Sequence, residues 1–141
     1  MEIVVNNTET DGFPVTQQVD KYRHRLYIDY EYVHRNCFSI HIKKGFTYDG
    51  ASIPRILWRV AGTPFTGLYT VAALVHDALY EAELFPRKEC DLTFFEIMVD
   101  YKVGWFARHS KYRAVRMGGW VGWNRHTEES IAKARKLVEV H

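Results

Sequence analysis

Three short segments concentrate the residue types that can do chemistry: Asp49-Gly50-Ala51-Ser52-Ile53-Pro54, His76-Asp77-Ala78-Leu79-Tyr80 and Asp91-Leu92-Thr93-Phe94. His76 and Asp77 sit inside an otherwise apolar stretch, between Ala72-Ala73-Leu74-Val75 and Ala78-Leu79. A charge in such a stretch is costly unless it is paired or bound to metal. On a helix, His76 and Tyr80 share a face, and Asp77 is turned about 100° from His76. One helix thus offers an imidazole and a carboxylate to adjacent regions of one pocket. Asp91 lies near the start of the next helix, where antiparallel packing can bring it opposite His76. A carboxylate on one imidazole nitrogen sets the tautomer and leaves the other nitrogen as a base, with water as the potential nucleophile. The Asp49-Gly50 loop offers a carboxylate and free carbonyls, the oxygens that hard cations such as Ca²⁺ prefer. With Asp77 it forms a two-carboxylate metal site that could polarise a carbonyl and stabilise an oxyanion.

Each piece also has a structural reading. Asp91 can be a favourable dipole contact at a helix start, Asp49-Gly50 a turn, and Ser52 an N-cap before Pro54. The combination of three carboxylates and a histidine, each where one pocket is natural, favours a shared site.

The elements that must position these residues follow from periodicity. Leu26, Ile28, Tyr30 and Tyr32 alternate with polar neighbours, which predicts a half-buried strand. Phe38, Ile40 and Ile42 predict a second, with Arg35-Asn36 at hairpin distance between them. A short strand at the N-terminus precedes them, and residues 1–44 are expected to be β-rich. Gly45 to Pro54 is a loop by composition, and Pro54 opens a short helix containing Ile56, Leu57 and Trp58. Helical spacing then predicts helices over roughly 66–83 and 86–103 and a basic helix over 105–117, followed by a Gly-rich loop over 118–123. Thr127 caps a last helix, with Glu128 and Glu129 in its first turn. The expectation is one α+β domain over 1–141: a small N-terminal antiparallel sheet, then a mainly helical part over 45–141 whose antiparallel helix pair carries the site.

Composition narrows the function classes. The 141 residues hold 19 Lys and Arg against 17 Asp and Glu, too even a balance to make nucleic acid the expected partner. No apolar run approaches the ~20 residues that span a bilayer. No basic-then-apolar leader marks a signal peptide. Cys37 and Cys90 are too few for a disulfide framework and read as buried apolar residues in a reducing compartment. Trp105, Phe106, Trp120 and Trp123 intermix with Arg108, Lys111, Arg113, Arg116 and Arg125. Two readings stand: buried Trp with solvated Arg, or a membrane interface or anionic partner surface. His24, His34 and His41 read as structural or exposed, and His109 and His126 show no evident partners.

The string Phe46-Thr47-Tyr48-Asp49-Gly50-Ala51-Ser52-Ile53-Pro54, then Val75-His76-Asp77-Ala78-Leu79-Tyr80, then Asp91 and Phe94, resembles a phage and prophage family known as domain of unknown function 1353. The resemblance covers roughly residues 38–122 and implies a phage or prophage origin, in the host cytoplasm or the virion, and no assigned activity. Residues 49–98 are also similar to bacterial and fungal secreted phospholipases A2. That resemblance implies His76 as general base, Asp91 as its orienting partner and Tyr80 hydrogen-bonded to the Asp91 carboxylate. It implies calcium on the Asp49 and Asp77 side chains and the Gly50 carbonyl. The cysteines that staple loop to helix in those enzymes fall at Ala51 and Ala73 here, and the β-rich N-terminus has no counterpart in them. The resulting expectation is a calcium-dependent, phospholipase A2-like ester hydrolase acting on phospholipid. The alternative is a non-enzymatic phage structural, assembly or host-interaction protein.

Overall fold

The computed structural model describes residues 13–20, 23–48 and 70–141. Asp49, Gly50, the short helix expected around Trp58 and the N-terminal strand lie outside the described residues. Six strands and four helices appear among them. The strands are β1 (Thr16–Gln18), β2 (His24–Leu26), β3 (Tyr30–His34), β4 (Phe38–Ile42), β5 (Thr47–Tyr48) and β6 (Val138–Val140). The helices are α1 (Thr70–Glu81), α2 (Arg87–Asp100), α3 (Trp105–Trp123) and α4 (Glu128–Arg135). The class is α+β, with β1 to β5 ahead of the helices.

The β region divides into two antiparallel three-stranded sheets, β1-β2-β5 and β3-β4-β6. The single strand expected through Leu26 and Tyr32 breaks at residues 27–29. Asp29 supplies the reason: its carboxylate accepts the Lys44 amide at 2.8 Å and meets His41 Nε2 at 3.1 Å. A side chain that captures nearby backbone competes with the ladder and turns the chain. The β3–β4 hairpin turns at Arg35 and Asn36, both at positive φ. The alternation expected from sequence holds: Tyr30, Tyr32, Ile40 and Ile42 are buried. The C-terminal β6 completes the second sheet against β4.

Helix α1 is buried from Thr70 to Tyr80, as a helix apolar nearly all round must be. Helix α2, opened by Pro86, packs against it and buries Cys90, Phe94, Ile97 and Met98. The core joins these helices to Leu26, Ile40 and Ile42 of the two sheets. Cys90 is buried as expected, whereas Cys37, at the β3–β4 turn, is exposed. Thr127 caps α4 through a reciprocal box with Ser130, its side chain accepting the Ser130 amide at 3.0 Å.

The expected loop over 118–123 is a correction. Helix α3 runs through it to Trp123. Gly119 and Gly122 face Tyr80, where a Cβ would stand 3.5 Å from the hydroxyl in ordinary contact. The glycines weaken the helix by about 1 kcal/mol each, and packing of α3 on α2 and Tyr80 carries it through them. No described helix is long and apolar enough to cross a membrane.

Candidate functional site

The antiparallel α1–α2 pair brings His76 and Asp91 together. His76 Nε2 meets Asp91 Oδ1 at 2.7 Å, and both side chains are fully buried. The other ring nitrogen, Nδ1, faces Asp77 Oδ1 at 3.6 Å. Asp91 Oδ2 accepts Arg116 Nη1 from α3 at 2.7 Å and lies 3.4 Å from Arg87 Nη1, one turn earlier on α2. Arg87 Nη1 also lies 3.5 Å from the carbonyls of Val115 and Arg116. Three helices are thereby tied through one carboxylate.

The electrostatics follow from this geometry. Burial opposes a charge on His76, but hydrogen bonds and charges from Asp77 and Asp91 outweigh it, and its pKa rises above the ordinary imidazole value. Burial likewise opposes ionisation of Asp91, but His76 and Arg116 overcome it and hold the carboxyl below its usual range. The pair favours imidazolium and carboxylate.

Tyr80 sits elsewhere than the phospholipase resemblance implies. Its ring stacks on His76 with centroids 5.3 Å apart and meets Trp123 edge-on. Its buried hydroxyl lies beside the Trp123 backbone without good hydrogen-bond geometry. The Asp91 oxygens it was expected to reach are held by His76 and the two arginines. Tyr80 therefore walls the imidazole and leaves the carboxylate to others.

Asp77 is buried on α1. β5 packs on that helix, and the Asp77 charge is felt by the Tyr48 hydroxyl. Asp49 and Gly50 follow Tyr48 in sequence but lie outside the described residues. Among the described residues, no group of three or more His, Cys, Asp or Glu side chains could hold a metal ion.

Two members of the cluster escape sequence reasoning. Arg87 stands four residues before Asp91, a spacing that signals an ion pair on a helix. Arg116 carries no such signal, since only the packing of α3 brings it to Asp91. Other histidines also find partners: His126 Nδ1 meets Glu83 Oε2 at 2.7 Å, and His109 Nδ1 donates to the Trp105 carbonyl at 2.8 Å. The reading of buried Trp and solvated Arg holds in part: Arg113 and Arg125 are exposed and Trp123 packs on the core. Trp105 and Trp120 are exposed, Lys111 is buried, and Arg116 points into the cluster.

Comparison with known proteins places the chain among uncharacterised relatives. It is 32% identical over 92 residues to the uncharacterized protein y4jT of Sinorhizobium fredii (strain NBRC 101917 / NGR234), covering 64% of this chain and 27% of that protein. The chain thus spans about a quarter of that relative's length. No solved structure matches. A family model described as "Protein of unknown function (DUF1353)" matches residues 24–115, which include His76, Asp77, Arg87 and Asp91 and stop one residue short of Arg116. That match extends over well more than half of the chain, so the protein belongs to the DUF1353 family.

Proposed function

We propose that this protein is a metal-assisted ester hydrolase of phospholipase A2-like mechanism. The observation that carries the reading is the 2.7 Å contact of His76 Nε2 with Asp91, which leaves Nδ1 on the side of Asp77. In this reading His76 takes a proton from water at Nδ1. Asp91 is a positioning residue: it orients the ring, and Arg116 and Arg87 keep it ionised. Tyr80 holds the ring by stacking. Asp77 would hold calcium together with Asp49 and the Gly50 carbonyl, oxygens of the kind that ion prefers; of these only Asp77 is among the described residues. A cation held there would stabilise the oxyanion formed as the water adds to the ester carbonyl, and the imidazolium would return its proton to the alkoxide that leaves. Base action needs the neutral imidazole, so hydrolysis is expected to rise with pH through the elevated His76 pKa.

A second reading draws on a different observation. His76 and Asp91 are completely buried, and both Asp91 oxygens have partners. Such a cluster suits a polar clamp across α1, α2 and α3 in a non-enzymatic phage component or host-interaction protein.

Calorimetric titration of chelator-stripped protein with Ca²⁺, beside Asp77→Asn, is the first test. Fatty-acid release from phospholipid vesicles, beside His76→Asn, is the second. The hydrolase reading expects binding and release by the parent and neither by the respective variant. A parent that neither binds calcium nor releases fatty acid leaves the clamp.

A further inference from the structure

Helix α3 leaves several large apolar side chains outside the core. Its buried positions are Lys111, Val115 and Gly119. Its outward positions carry Phe106, 73% exposed, Met117, 77%, and Trp120, 53%. At about 100° per residue these three fall within a sector of roughly 60°, opposite Val115. Trp105, 64% exposed, flanks the stripe at its N-terminal end. Large apolar side chains aligned on one exposed helix face, here at two ends of the stripe with Arg113 between them, mark a candidate interaction surface.

Charge indicates what covers it. Helix α3 holds no Asp or Glu, and of its four basic side chains Arg113 is the exposed one, Lys111 being buried, Arg116 held on Asp91 and Arg108 on the Val103 carbonyl. The acid-free stretch extends from Tyr101 to Thr127 and adds Lys102 and Arg125. Arg113 is exposed and lies on the same stripe as Phe106 and Met117. Aromatic side chains around a long cationic one suit the boundary between headgroups and acyl chains, where the stem is buried and the charge reaches phosphate. A second copy fits poorly. Two-fold pairing of this face would bring the two Arg113 side chains together with no carboxylate on the helix to answer them.

We infer that the outer face of α3, centred on Phe106, Arg113, Met117 and Trp120, docks on the surface of an anionic lipid bilayer. This deepens the hydrolase reading by making a bilayer the place where the site meets its substrate, and it rests on that reading only for that consequence. The docking surface itself is argued from α3 alone.

Sedimentation with vesicles tests it, using the full chain with His76→Asn in chelator so that hydrolysis and calcium play no part. Vesicles of phosphatidylglycerol and phosphatidylcholine are compared with phosphatidylcholine alone. Binding is expected to the anionic vesicles, weakening as salt rises. The double variant Phe106→Ser/Trp120→Ser, checked for an unchanged circular dichroism spectrum, is expected to lose roughly tenfold or more in partitioning. Both residues are exposed, so the fold should survive. Absence of binding to anionic vesicles overturns the inference, as does equal binding by the double variant. A dimer in solution that the double variant dissolves, without vesicle binding, assigns the face to a second copy instead. Binding to polyglutamate but not to vesicles assigns it to an acidic protein. Docking without hydrolysis by the parent would retain this inference while the hydrolase reading fails, and hydrolysis of dispersed substrate without docking would do the reverse.

Discussion

Two buried histidines meet carboxylates from the same helix, with different consequences. His34 on β3 reaches Glu96 of α2 at 2.9 Å, and His76 on α1 reaches Asp91 of α2 at 2.7 Å. Both imidazoles are essentially inaccessible. The carboxylates differ. Glu96 remains about a third exposed and shares an ion pair with Arg35 at the surface, whereas Asp91 is sealed between two arginines and the imidazole. Water screens the first pair and leaves the second to the protein's own charges. A histidine–carboxylate contact therefore says little by itself. What separates a candidate site from an ordinary tie is the burial of the carboxylate and the second acidic group, Asp77, at the other ring nitrogen.

The strongest way to break this comparison is Asp91→Asn. It should cost about 3 kcal/mol in urea denaturation, because it leaves a buried imidazole and two partly buried guanidinium groups without their counter-charge. A cost under about 1 kcal/mol would place Asp91 with the surface pairs.

pH sharpens the contrast. His76 is raised, so its stabilisation is fully present below about pH 6.5 and is lost as pH rises through its folded value. Asp91 is lowered, so its contribution is present above about pH 3.9 and is lost as pH falls through its folded value. The urea midpoint in chelator should fall as pH rises above about 6.5, with a shallower fall in His76→Asn. A variant as steep as the parent would trace the dependence to other groups.

Glu96→Gln is the matching change at the other pair. It should cost about 1 kcal/mol or less, since both of its ion pairs are partly screened. The smallest effect is expected where the two sites differ in packing. His76 is walled by Tyr80, which lies against Gly122. A Cβ there would make ordinary contacts at 3.5 and 3.7 Å, so Gly122→Ala should stabilise α3 by about 0.5 kcal/mol in thermal unfolding. Destabilisation would show that Tyr80 has no room to accept a methyl group.

Several parts of this arrangement were legible from residue order. The alternation of Tyr30, Tyr32, Ile40 and Ile42, the apolar run of α1 and the cap at Thr127 are local patterns, and each produced the expected element. The His76–Asp91 contact was also within reach, because a short connection at Phe85-Pro86 forces α1 and α2 to run antiparallel. Asp49 and Gly50 lie outside the described residues, so the metal half of the site remains a sequence-level expectation. The helical course of residues 118–123 was hidden, since glycines read as loop until Tyr80 is seen against them. Strand β6 was hidden too: three residues carry no period, and only pairing with β4 makes them a strand.

The sequence by itself determined where apolar and polar faces alternate, where helices begin, and that a histidine and an aspartate would stand within an apolar helix. These follow from spacings of a few residues, which backbone geometry converts directly into faces. Only the tertiary structure decided that Arg116 closes on Asp91, that Glu96 and Asp91 meet such different surroundings, and that α3 turns Lys111 inward and Trp105 and Trp120 outward. Those outcomes depend on which distant segments exclude water from which side chains, and no local pattern carries that information.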